Sequence, residues 1–295
     1  MTFNDNARID TGGITKRGGG RTGAAVGGGS VLVMIIGALI YMFTGVDISG
    51  MTGGGQGGGA ETQQQGVENC ETGADANANV ECRMAGAQNS IDQYWQQEGP
   101  NLGIQYQTPE FVLYEGQTQS ACGQASNAVG PFYCPGDKAM YIDTAFFDLL
   151  ESQFGASDGP MAEMYIVAHE WGHAVQDQAG ILQQVNNQET GPTSDAVRLE
   201  LQADCLAGAW AGHASETTDA NGQRLLQPLT DQDIQNALEA AASVGDDHIQ
   251  QSQTGRVQPE AFTHGTSEQR QRWFTTGYRS GWQSCDTFGI SGTQL

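Results

Sequence analysis

The apolar positions of this chain follow different spacings in different stretches. An uncharged run extends from Thr22 to Val46, and its centre, Val31 to Phe43, is almost wholly apolar. About 20 such residues cross a bilayer as a helix, so residues 22–46 predict one transmembrane signal-anchor. Lys16, Arg17 and Arg21 lie before it and Asp47 just after. The positive-inside bias then keeps residues 1–21 as a cytoplasmic basic tail. It also carries everything after residue 47 across the cytoplasmic (inner) membrane, a single pass with the N-terminus inside. A cleaved signal peptide is the rival reading, but Thr44-Gly45-Val46-Asp47 offers no small-x-small cleavage site. Residues 47–66, with glycine triplets among Ser, Thr and Gln, predict a flexible linker.

From residue 67 to 295 the pattern is that of a globular domain. Short apolar runs at Phe111 to Tyr114 and Met140 to Ile142 predict strands. Between them, the Gly-, Ser- and Asn-rich stretch from Cys122 to Cys134 predicts an irregular hairpin arm or edge strand. Helical spacing follows elsewhere. A short helix is expected from Asn89 or Ser90 through Ile91, Tyr94 and Trp95 to Gly99, and another from Ala145 to near Gly155. A longer one runs from Pro160 through Met161, Met164, Tyr165, Val167 and Ala168 to a stop near Gly180. Thr193 or Ser194 caps the next, over Val197, Leu199, Leu201, Ala203, Leu206 and Trp210. Thr230 caps a helix through Ile234, Leu238 and Ala241. Thr266 with Gln269 forms a capping box before Trp273, Phe274 and Tyr278. The expected fold is α+β: a small mixed sheet followed by helices.

Charge changes the picture by exclusion. The formal net charge is −22, and the eight basic residues beyond residue 43 face 32 acidic ones. A surface this acidic repels nucleic acid, so no nucleic-acid partner is expected. All six cysteines follow the apolar run, an even count that argues for disulfides in an exported domain. Six cysteines allow 15 pairings. The short spacings suggest Cys70 with Cys82 and Cys122 with Cys134, leaving Cys205 with Cys285.

The chemistry concentrates in His169-Glu170-Trp171-Gly172-His173. Only five histidines occur in the chain, and two of them are here. Residues four apart share a helix face, so both imidazoles can grip one Zn²⁺. Glu170, about 100° further round, reaches a water on that ion rather than the ion itself, and is the expected general base. On the next helix Glu200 and Asp204 again stand four apart. Glu200 supplies the third ligand that such a site needs, and Asp204 is placed to accept the free ring N–H of a ligating histidine. Two solvated acids on an amphipathic helix are the alternative, and His213 and His248 compete for the ligand role. His264, before the last helix, could donate a hydrogen bond to a developing oxyanion. Arg270 or Arg272 could balance the two acids if either faces the cleft, although an ordinary salt bridge serves as well.

Several stretches together resemble the neutral zinc metallopeptidases of bacteria, a family of membrane-anchored proteins. They are Gly130-Pro131-Phe132-Tyr133-Cys134-Pro135, Tyr165 through Gln176, Glu200-Leu201-Gln202-Ala203-Asp204-Cys205, and Thr263 through Arg270 with Trp273-Phe274. One departure is that Ala174, not a second histidine, follows His173. The resemblance covers about residues 68–290. It implies a zincin-like fold behind one N-terminal anchor, Glu200 as third ligand of one catalytic zinc in the gluzincin manner, and a peptide or protein substrate. The expected function is a membrane-anchored endopeptidase. The alternative is a zinc-stabilised, non-catalytic binding or scaffold module of the cell envelope. The oligomeric state is not expressed in the sequence.

Overall fold

A computed structural model describes residues 2–18, 64–126, 129–157 and 159–295. The expected anchor over 22–46 and most of the 47–66 linker fall outside these residues. Among the described residues no helix is long and apolar enough to cross a membrane.

The two apolar runs form strands β3 (Glu110–Tyr114) and β7 (Ala139–Asp143), paired in parallel at the heart of a sheet. Nearly every residue in them is buried, which is why they read as continuous apolar runs rather than alternating ones. Strand β6 (Phe132–Cys134) pairs antiparallel with β7 and forms one edge. On the other side lie β1 (Ile14–Arg17), parallel to β3, and β2 (Gln64–Gln65), antiparallel to β1. The order is β2-β1-β3-β7-β6. The arm expected between Cys122 and Cys134 holds β5 (Gly123–Ser126), which pairs as a separate hairpin with β4 (Gln117–Ser120) just before the arm, and then leads into edge strand β6.

Strand β1 lies within residues 1–21, the stretch expected as a cytoplasmic basic tail. Residues 2–18 are built into the domain. The Phe3 side chain is 2% exposed, its N–H donates to Asn77 Oδ1 at 2.8 Å, and its backbone bridges to Leu226. Gly86 provides the seat, since a Cβ there would lie 2.4 Å from the Phe3 ring. Lys16 pairs with Glu81 at 2.7 Å and Glu115 at 3.2 Å, while Arg17 sits over the Tyr141 ring at 5.6 Å. Charges that resemble a topogenic flank are thus partners for the domain's own acids.

Eight α-helices occur among the described residues. Helix α1 (Gly73–Ala78) was not foreseen, and α2 (Val80–Leu102) starts at Asn79, ten residues before the expected cap. The missed part buries small residues, Ala85, Gly86 and Ala87, which leave no apolar rhythm in the sequence. The remaining helices are α3 (Ala145–Phe154), α4 (Pro160–Gln178), α5 (Asp195–His213), α6 (Asp231–Ser243), α7 (Asp246–Thr254) and α8 (Ser267–Ser280). The caps Ser194, Thr230 and Thr266 stand where their sequences put them. The main core lies between the sheet and these helices, with Trp95, Trp171 and Trp210 fully buried. A smaller core of Val112, Tyr114, Phe132 and Tyr141 fills the sheet's other face.

Close helix crossings need glycine. A Cβ on Gly277 of α8 would fall 1.8 Å from the Cys205 carbonyl oxygen on α5. Gly277→Val is therefore expected to cost about 3 kcal/mol, read from urea unfolding, because neither helix backbone can retreat without opening the core. The disulfides are Cys70–Cys82, Cys122–Cys134 and Cys205–Cys285. The last ties α5 to the segment after α8.

Candidate metal centre

Helix α4 starts with Pro160 at its first turn and is buried along most of its length. It crosses α5 at Gly172, where a Cβ would be 3.0 Å from the Ala203 Cα. That approach brings His169 and His173 of one helix to Glu200 of the other. His169 Nε2 lies 3.1 Å from Glu200 Oε2, and His173 Nε2 lies 3.4 Å from Glu200 Oε1. One donor atom from each residue falls within 4.8 Å of the others, and all three residues are buried. Glu200 Oε1 is buried without a hydrogen-bond partner, a costly arrangement unless the oxygen has something else to bind. Two imidazole nitrogens and a carboxylate converging on one point suit Zn²⁺.

Each imidazole is aimed through its other nitrogen. His169 Nδ1 donates to Asp204 Oδ1 at 2.8 Å, and His173 Nδ1 donates to Gln176 Oε1 at 2.8 Å. Gln176 is itself fixed, donating to the Leu199 carbonyl at 2.8 Å and to Gln202 Oε1 at 3.0 Å. Asp204 also accepts the Tyr165 hydroxyl at 2.5 Å and Arg270 Nε at 2.8 Å. Arg270 is therefore the arginine that faces the centre, while Arg272 is exposed on the outer side of α8.

The electrostatics follow from this wiring. Burial opposes the charge on Asp204, but Arg270 and His169 outweigh it and hold the carboxyl below its ordinary range. Burial likewise opposes charge on His169, yet Asp204 and Glu200 push it up to about 10. A metal ion must then displace a proton to bind, so zinc affinity is expected to fall as pH falls. Burial raises Glu170, with His169 and His173 pulling the other way. Asp204→Asn is expected to weaken zinc binding about 10–100-fold, measured by competition with a chelating dye. An unchanged affinity would mean that Asp204 does not aim the ring.

Glu170 stands beside the three donors. Its Oε2 accepts the Tyr133 backbone N–H at 3.0 Å, which ties it to edge strand β6. His264 lines the same cleft, of about 530 Å³, as His169, Glu170, His173 and Glu200. Its Nδ1 lies 3.3 Å from Asp246 Oδ1. Asp246 Oδ2 accepts the N–H groups of Thr263, His264 and Gly265 at 2.7–2.9 Å, which fixes the His264 loop.

Tyr133, Tyr165, Gln176 and Asp246 are the members that sequence reasoning did not pick out. For Gln176 a signal existed, since it stands three residues beyond His173 on the same helix face. For Asp246, the first residue of α7, no local signal exists, because its partners Thr263, His264 and Gly265 lie on a distant loop. His248 hydrogen-bonds the Phe154 carbonyl at 3.1 Å and His213 stacks on Tyr94, so neither joins the three donors.

Comparison with known proteins agrees with this picture. The sequence profile of the family described as "Putative neutral zinc metallopeptidase" matches residues 3–288. The uncharacterized protein Rv2575 of Mycobacterium tuberculosis is 50% identical over 227 residues, 76% of each chain. The uncharacterized protein YpfJ of Escherichia coli K12 is 36% identical over 293 residues, 97% of this chain and 96% of its own. No solved structure matches.

Proposed function

Because this chain belongs to that neutral zinc metallopeptidase family, we propose that it is a zinc-dependent endopeptidase of the zincin type. The observation that carries the reading is the convergence of His169, His173 and Glu200 with Glu170 held alongside. The three donors would hold one Zn²⁺. Bound there, the ion supplies Lewis acidity, acidifying water and polarising a carbonyl.

The chain's own groups supply the rest. Glu170 takes a proton from the attacking water as its oxygen bonds to the peptide carbonyl carbon. It then delivers that proton to the departing amine nitrogen as the C–N bond breaks. The Tyr133 N–H keeps the carboxylate in place between the two transfers. Against burial, Glu200 and Asp246 bias His264 towards its charged form, and as imidazolium it would donate from Nε2 to the oxygen that becomes negative while Nδ1 faces Asp246. Strand β6 offers its outer edge to an extended substrate. The three disulfides support a place of work outside the reducing cytoplasm.

The test uses the full chain. Purified protein is expected to carry one zinc per chain and to cut an unfolded protein. Chelator should stop the cutting and added zinc restore it, while Glu200→Ala should bind zinc far more weakly. A chain that holds zinc tightly through Glu200 yet cuts nothing would sink the enzyme reading.

A further inference from the structure

Resting on the zinc reading above, we infer that Gln202 is a positioning residue of the metal centre. Acting through Gln176, it fixes which nitrogen of His173 carries the proton, and it hangs that setting on the stapled segment beyond α8.

Gln202 stands two residues beyond Glu200, about 200° further round α5, so it leaves the helix on another side. It is 8% exposed, and its amide bridges two neighbours. Nε2 donates to the Cys285 carbonyl at 2.9 Å, and Oε1 accepts from Gln176 Nε2 at 3.0 Å. Gln176 is fully buried on α4. The same nitrogen of Gln176 donates to the Leu199 carbonyl at 2.8 Å, and its Oε1 meets His173 Nδ1 at 2.8 Å.

This chain of bonds has one direction, because its far ends are backbone carbonyls, which only accept. The Cys285 carbonyl takes an N–H of Gln202 and leaves Gln202 Oε1 for Gln176. Gln176 then faces two acceptors, and both its N–H groups go to them. Only its oxygen remains for His173. Nδ1 therefore carries the proton, and Nε2 keeps its lone pair on the Glu200 side, 3.4 Å from Glu200 Oε1. Turning either amide over would set oxygen against oxygen in a buried place. His169 needs no such backing, since the Asp204 carboxylate can only accept. The amide of Gln176 could offer His173 either end, and Gln202 decides which.

The far anchor is itself held. Cys285 is bonded to Cys205 of α5. Beside it, Thr287 Oγ1 donates to the Arg198 carbonyl at 2.8 Å, and Arg198 Nη1 donates to the Ile290 carbonyl at 3.1 Å.

The test reads the imidazole nitrogens of the zinc-loaded full chain by nitrogen-15 NMR. In the wild type, His173 is expected to bind through Nε2 with its proton on Nδ1. Gln202→Leu is expected to weaken zinc binding about tenfold and to speed exchange of the His173 Nδ1 proton with water. The His169 Nδ1 proton, held by Asp204, should stay as in the wild type, whereas a general loosening would disturb both rings. Once Gln176→Leu has lowered zinc affinity, adding Gln202→Leu should lower it no further. A wild-type proton on Nε2, an unchanged affinity, both rings disturbed alike, or losses that add, each overturns the assignment.

A check free of any variant covers the case in which Gln202→Leu does not fold. A setting passed from Gln202 to the ion is felt in return, so zinc should slow exchange of the Gln202 side-chain N–H groups with water. Exchange indifferent to zinc overturns the inference. If the chain takes up no zinc, the metal reading fails and the metal-free rings decide. A His173 Nδ1 proton altered by Gln202→Leu beside an unaltered His169 upholds the role of Gln202, and no change overturns it.

Discussion

Glu170→Gln is expected to leave zinc binding intact while lowering kcat about 10²–10⁴-fold. The amide has nearly the shape of the carboxylate, and its oxygen can still accept the Tyr133 N–H that holds Glu170 at 3.0 Å. It cannot take up a proton. The three donors on His169, His173 and Glu200 are untouched, so metal content measured beside kcat separates the two roles. A variant that keeps more than a tenth of wild-type kcat would remove Glu170 from the proton path. A variant that loses its zinc would show that Glu170 belongs to the cation's support instead.

The second large effect is far from the chemistry. Phe3→Ala is expected to destabilise the whole domain by about 3–5 kcal/mol in urea unfolding. The ring is 2% exposed and fills space that Gly86 leaves open, so truncation leaves a void no neighbour can reach. A chain beginning at residue 67 should fare worse. It would lack β1, exposing the edge of β3 and leaving Glu81 without Lys16. Stability within 1 kcal/mol of wild type for Phe3→Ala would mean that residues 2–18 only rest on the domain.

The candidate metal centre was more legible than the frame that holds it. Two histidines four apart and two acids four apart announce their faces, because helical spacing is a local property. What brings those faces together is not local. It depends on Gly172 admitting Ala203 and on Gly277 admitting Cys205, and glycines inside helices carry no mark of which neighbour they meet. The same blindness hid α1 and the first half of α2, whose buried faces are mostly alanine, glycine and disulfide cysteine, with Met84 the one large apolar side chain. Arg270 could be placed near the acids only as one of two candidates. Burial against Asp204 distinguishes it from exposed Arg272, and burial is a tertiary fact. The strand Ile14-Thr15-Lys16-Arg17 could not be read as a strand from its sequence. Two cations before a long uncharged run satisfy the rule for a cytoplasmic flank, and only the pairing with β3 reveals another use.

That pairing limits how the chain can be threaded. Arg17 and Gln64 stand opposite one another on adjoining strands, so whatever path residues 18–63 take is a round trip that ends beside its point of departure. One passage through a lipid bilayer along the way would put Phe3 on one face of the membrane and Leu226, to which it is bridged, on the other. That bridge holds Phe3 in the same folded unit as the candidate metal centre. An impermeant reagent that reaches a tag at residue 1 should reach the cleft from the same side.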